Sequence, residues 1–70
     1  MQIVNQSGTA VYEVENAMLV TGTTNAISGY ATGRWLNLGE YATKEEAEKA
    51  FKKLLQAMYS REKMYFMSDK

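Results

Sequence analysis

Cysteine, histidine and proline are all missing from this chain, and each absence removes a class of explanation. Without cysteine there is no disulfide framework and no thiolate ligand. Without histidine the usual zinc and transition-metal ligands are gone, and carboxylates alone suit hard cations, so neither a metal nor a cofactor is expected. The same two absences remove the commonest nucleophile–base pairs. With no proline and no low-complexity run, nothing marks a linker or an internal repeat. Net charge is missing as well, because eight basic residues balance eight acidic ones. That balance argues against nucleic acid and against an acidic membrane surface as partners. Ala17-Met18-Leu19-Val20, the longest mostly apolar stretch, is far too short to cross a bilayer. No basic segment followed by an apolar one opens the chain, so a signal peptide is not expected. With no cysteine besides, the expectation is a cytoplasmic protein. Asn5-Gln6-Ser7 matches a glycosylation acceptor, which without a secretory signal carries no weight.

What is present fits one small domain, residues 1–70. A core of this size supplies only about 3–5 kcal/mol of net stability, which raises the expectation of self-association. The charges are unevenly spread. Before Lys44, Arg34 is the one basic residue, against Glu13, Glu15 and Glu40; the other basic groups all follow. The first part therefore reads as uncharged and strand-rich, the second as a charged helix with a tail.

Ile3-Val4, the turn formers Asn5-Gln6-Ser7-Gly8, and the alternating Ala10 to Val14 predict a hairpin. Ala17 to Thr21 reads as a third strand, ended by the turn-favouring Gly22-Thr23-Thr24-Asn25. Its apolar residues do not alternate, which predicts a central strand buried on both faces. Ser28 to Tyr41 predicts a second hairpin with Gly33-Arg34 as a two-residue type II′ turn. That register places Ile27, Gly29, Ala31, Leu36 and Leu38 on one face. Ser28, Tyr30, Thr32, Trp35, Asn37 and Tyr41 fall on the other. A helix over about Lys44 to Ser60 is announced by Thr43 and Glu46 as a capping box. Ala47, Ala50, Phe51, Leu54, Leu55 and Met58 form its apolar stripe. Glu45–Lys49 and Glu48–Lys52 have the spacing of stabilising pairs, and late basic residues suit the macrodipole. Lys63 to Met67 has the composition of a last short strand. The fold class expected is α+β, a small antiparallel sheet of about four to five strands with one amphipathic helix packed on one face. The helix should lie over Gly29 and Ala31, whose small size lets Phe51 and Leu54 approach.

Three segments, MQIVNQSG, LGEYATKEEAEKAFKKLL and MYSREKMYFM, together resemble short, largely uncharacterised proteins encoded by phages and mobile elements of Gram-positive bacteria. The resemblance covers most of the chain, and its motifs are structural: a hairpin start, a strand leading into a capped helix, and a final strand. Members often have Gly or Asn before the last strand and Pro after it, where this chain has Arg61-Glu62 and Ser68. The resemblance implies a phage or prophage origin and a small α+β fold, and it carries over no catalytic residue.

Candidate chemistry is sparse. Ser7, Ser28, Ser60 and Ser68 lack motif context. Glu13 and Glu15 would share a strand face as paired carboxylates, or simply form a solvated face. The glycines near Thr21 and Thr32 open no helix and match no phosphate loop. Lys49, Lys52 and Lys53 alternate with glutamates, the pattern of a solvated helix face. The methionines Met18, Met58, Met64 and Met67 read as core and edge filler. Met64 to Met67 can also be read as an edge that joins a partner's sheet, with Lys63, Asp69 and Lys70 as flanking charges that discourage uncontrolled pairing.

The chain is therefore expected not to be an enzyme. Tyr30, Arg34, Trp35, Asn37 and Tyr41 are the residues expected to meet a ligand or another subunit. Large aromatic bodies with hydrogen-bonding tips suit both uses, and an exposed aromatic sheet face is a liability for a monomer. The functional expectation is a small binding protein, homo-oligomeric, acting as a phage-encoded inhibitor or sponge against host defence. Its target would be a small nucleotide ligand or a host defence protein. The alternative is a structural or regulatory accessory protein that binds one host or phage protein through its sheet edge.

Overall fold

The computed structural model describes residues 1–67 of the 70-residue chain. Ser68, which stands where the similar proteins often have Pro, and the flanking charges Asp69 and Lys70 lie outside the described residues. The element order is β1 (Gln2–Val4), β2 (Val11–Glu13), β3 (Asn16–Val20), β4 (Ala26–Ala31), β5 (Arg34–Glu40), α1 (Lys44–Tyr59) and β6 (Met64–Phe66). The α+β class stands, but the single antiparallel sheet does not. The strands form two three-stranded sheets, ordered β2-β1-β6 and β3-β4-β5. Only Val14 and Glu15 separate β2 from β3, yet the two strands lie in different sheets.

The first hairpin pairs as its alternation predicts, with Ile3 opposite Tyr12 and Val4 opposite Val11. Asn5 organises the turn, its side-chain oxygen accepting from the amides of Thr9 (2.9 Å) and Ala10 (3.1 Å). β6 then returns to the free side of β1 and pairs with it in parallel, Ile3 opposite Tyr65. β3 is not central. It is an edge strand beside β4, and Met18 on it is 40% exposed. An apolar run without alternation is also what an edge strand shows when one face meets a helix and the other is open, and sequence alone does not separate the two cases.

Gln6 joins the sheets. Its amide donates to the carbonyl of Leu38 at 2.7 Å. Its side-chain amide donates to the carbonyl of Glu40 and accepts from the Glu40 amide, both at 2.8 Å. The side chain thus imitates a neighbouring peptide unit on the edge of β5.

The helix begins where expected. Thr43 takes the N-cap position, and its hydroxyl accepts from the Glu46 amide at 3.1 Å. Its length is about 24 Å at 1.5 Å per residue, and it buries Ala47, Ala50, Leu54 and Ala57. The last turn contains no basic residue, because Arg61 falls beyond the Ser60 C-cap. Among the described residues neither Glu45–Lys49 nor Glu48–Lys52 closes into an ion pair; the pair that forms joins the Met1 amino group to Glu13. The helix stops in a Schellman motif, with Glu62 donating to Ala57 (3.2 Å) and Arg61 to Met58 (3.1 Å). Arg61 sits at φ +57, in the left-handed position that glycine usually fills.

Both sheets and the helix share one core of Ile3, Val14, Ile27, Ala31, Leu38, Leu54 and their neighbours. Gly29 is needed there, though not for the helix. A Cβ on Gly29 would stand 2.8 Å from a Leu38 methyl and 3.0 Å from a Val14 methyl. Gly29→Ala is expected to lower unfolding stability by about 1–3 kcal/mol, through overpacking, in urea denaturation. Arg61→Gly should act oppositely, raising stability by about 0.5–1 kcal/mol in the same assay, since it removes a Cβ from a left-handed residue.

Candidate functional site

The site grows from the β4–β5 hairpin, whose turn is shifted by one residue from the expected place. Thr32 and Gly33 form it, at φ +51 and +84, and positive values at both central positions define type I′. Ala31 therefore opposes Arg34, Tyr30 opposes Trp35, Gly29 opposes Leu36, and Ser28 opposes Asn37. Moving the turn by one residue moves each partner by two, so the two faces keep their members. The shift of the turn by itself removes only Thr32 from the aromatic face, for the turn. The shift sets two aromatic residues directly across from each other, a favourable cross-strand pair. It also puts a β-branched residue in the left-handed region, where such residues are rare. The Thr32 hydroxyl donates to its neighbour's carbonyl, that of Ala31, at 2.7 Å.

A bulge decides the fate of Tyr41. Ser28 opposes Asn37, yet Ile27 opposes Gly39, so Leu38 is an extra residue. From that point the alternation along β5 changes phase. Tyr41, expected on the far face, turns into the core and is 9% exposed. It is therefore not part of the open surface.

Asn16 and Met18 oppose Tyr30 and Ser28, so this face carries Asn16, Met18, Ser28, Tyr30, Trp35 and Asn37. Trp35 is 45% exposed. Its ring meets Tyr30 edge to face, with centroids 5.4 Å apart and planes at 67°. Such a contact fixes both rings. The Asn37 amide donates to the Glu40 carboxylate at 3.0 Å. Arg34 does not join them: it shares the Ala31 side of the hairpin, and alternation sends it the opposite way from Trp35. The Arg34-Trp35 pair is adjacent in sequence and divided in space. Sequence reasoning also missed Met18 as a member of this face, because its strand was read as central.

The other surface features are mixed. A cleft of about 830 Å³ beside the helix C-terminus is lined by Glu13, Glu15, Arg61, Glu62 and Lys63 among others. The Glu13 carboxylate there accepts from the Met1 amino group at 2.6 Å. Nearby, burial first and the Glu62 charge second push the Tyr65 phenol above its usual pKa, so it stays a neutral hydroxyl at physiological pH. Among the described residues no group of three or more acidic side chains is arranged to hold a metal ion, and no helix is long and apolar enough to cross a membrane. On the outer face of the first sheet Val11 and Phe66 are 53% and 69% exposed. Met67 is buried, and Met64 is exposed.

No family model, curated protein or solved structure matches the chain. Thr32→Asn should stabilise the hairpin by about 0.5–1 kcal/mol, since Asn-Gly is the preferred type I′ pair. Thermal melting would check this, and the exposure of Trp35, read by its fluorescence maximum, should stay unchanged.

Proposed function

We propose that the protein is a small non-enzymatic binding module that works as a homo-oligomer and captures its target on the open face of the second sheet. Trp35 carries this reading. It stands half exposed, braced by Tyr30, within a rim of Asn16, Ser28 and Asn37 that can form hydrogen bonds. Tryptophan and tyrosine in such settings are the residue types that dominate binding energy at interfaces. Within the same proposal, the module acts in the bacterial cytosol as a phage-encoded inhibitor or sponge against host defence, a reading whose support is the sequence resemblance.

The two classes of target ask for different surfaces. A nucleotide signal wants a concave, cation-bearing pocket. The face is instead an open strand surface, Arg34 lies off it, and the Glu40 carboxylate is bound to Asn37 at its edge. A host defence protein wants a flat patch with aromatic anchors and a polar rim. The geometry therefore favours a protein target over a nucleotide. The second reading is an accessory protein that holds one host or phage protein through a sheet edge. The uncharged edge of β3 supports it.

Native mass spectra of the gently purified protein test the reading, followed by titration of the captured species against the wild type and Trp35→Ala. The expected result is a multimer carrying a stoichiometric protein, with affinity falling about tenfold or more in Trp35→Ala. Its melting temperature should stay close to that of the wild type. Extra mass of nucleotide size, lost in Trp35→Ala, would move the target to the nucleotide class. Unchanged affinity in Trp35→Ala would remove the open face from the function.

A further inference from the structure

Four strands lie at sheet edges: β2 and β6 in the first sheet, β3 and β5 in the second. An edge offers unpaired N–H and C=O groups to any passing strand, and proteins blunt it with charge, shortness or cover. β2 and β6 are three residues each, and β2 carries Glu13. β5 carries Arg34 and Glu40 and is met by Gln6 at Leu38 and Glu40. β3 has none of these protections among the described residues. It is five residues long, Asn-Ala-Met-Leu-Val, without charge or proline.

Beside this edge runs a groove of about 330 Å³ between β3 and the helix, lined by Leu19, Glu48, Phe51, Lys52 and Leu55. Leu55 is 45% exposed there. Glu48 and Lys52 line the same groove and form no ion pair among the described residues.

We propose that a second copy of this chain fills this edge and groove. β3 pairs antiparallel with β3 of the second copy, and the two three-stranded sheets become one sheet of six strands. The two helices then lie side by side on the same face of that sheet, with Phe51 and Leu55 of each covering those of the other. The charge order selects the occupant. In a two-fold interface, residue i meets j and j meets i. Glu48 and Lys52 are one helical turn apart, so antiparallel helices set Glu48 of each copy against Lys52 of the other. Two attractive pairs form and no like charges meet. A partner of unrelated sequence must supply that order independently, whereas symmetry supplies it to a second copy. The open faces also join, with Met18 near the axis and a Tyr30–Trp35 pair on either side. This inference rests on the oligomeric part of the reading above and gives it a geometry; it leaves the open face free for the target.

Light scattering and native mass spectrometry of the full chain across micromolar concentrations test it. The wild type should be a dimer, and Leu55→Glu should raise the dissociation constant about tenfold or more by placing two carboxylates at the apolar contact. Glu48→Lys should weaken the dimer, and combining it with Lys52→Glu should restore it, an outcome that a merely structural effect on the helix would not produce. Trp35→Ala should leave the dimer intact. Circular dichroism monitors the fold of each variant. Hydrogen exchange on the wild type gives an independent reading, since amides of Asn16–Val20 should gain protection as concentration rises. A monomeric wild type would overturn the proposal. So would a dimer that ignores Leu55→Glu, dissociates with Trp35→Ala, or shows no concentration-dependent protection in β3. Target binding is measured separately on the same samples. A dimer without a target defeats the binding reading alone, and a target-binding monomer defeats the interface alone.

Discussion

Gly29 has no side chain, and Val14 and Leu38 occupy the space where one would stand. Most of the fold depends on that contact. A core of this size supplies only about 3–5 kcal/mol of net stability, so neither half of this protein is expected to stand alone. Val14 comes from the segment that leaves the first sheet, and Leu38 from the bulge in the second. Their meeting over the central strand β4 brings both sheets onto one core, which the helix closes with Ala47, Ala50 and Leu54. Gln6 then ties the far side, using its side-chain amide in place of a peptide. A small chain without disulfide or metal obtains its cohesion from close approach and from borrowed strand pairing.

The same construction leaves surface uncovered. The sixteen-residue helix packs on β3 and β4 and shares its core with residues of the first sheet. The outer side of the second sheet keeps Trp35, Tyr30 and Met18 at the surface, and the outer side of the first keeps Val11 and Phe66. The bulge divides the roles further, sending Tyr41 inward and leaving Trp35 outside. An exposed aromatic face on a small domain is costly unless something binds it. That physical argument supports the proposed binding role, and it does not depend on any single assigned ligand.

Several parts of the molecule were legible beforehand for local reasons. The Thr43 cap and the first hairpin rest on contacts within a few residues and form as expected, whereas the apolar stripe buries Ala47, Ala50 and Leu54 but leaves Leu55 exposed. The membership of the aromatic face survived a misplaced turn, because a one-residue shift of the turn conserves side-chain parity. Apart from that turn, the main differences are non-local. β3 was taken for a central strand because an apolar run does not reveal its neighbours. Arg34 and Trp35 were grouped because they are adjacent in sequence, although alternation separates them. Tyr41 was lost to a bulge, an insertion in pairing that leaves no clear mark in composition.

By itself the sequence determined where the helix starts, which residues alternate, and that no thiol or imidazole chemistry is available, since these follow from residue type and spacing within a few positions. Only the tertiary structure decided that the strands divide into two sheets, that Gly29 serves Val14 and Leu38, and that Tyr41 is core while Trp35 is surface. Those outcomes depend on which distant segments pair and at what register, and pairing energy is shared between partners that no local pattern identifies.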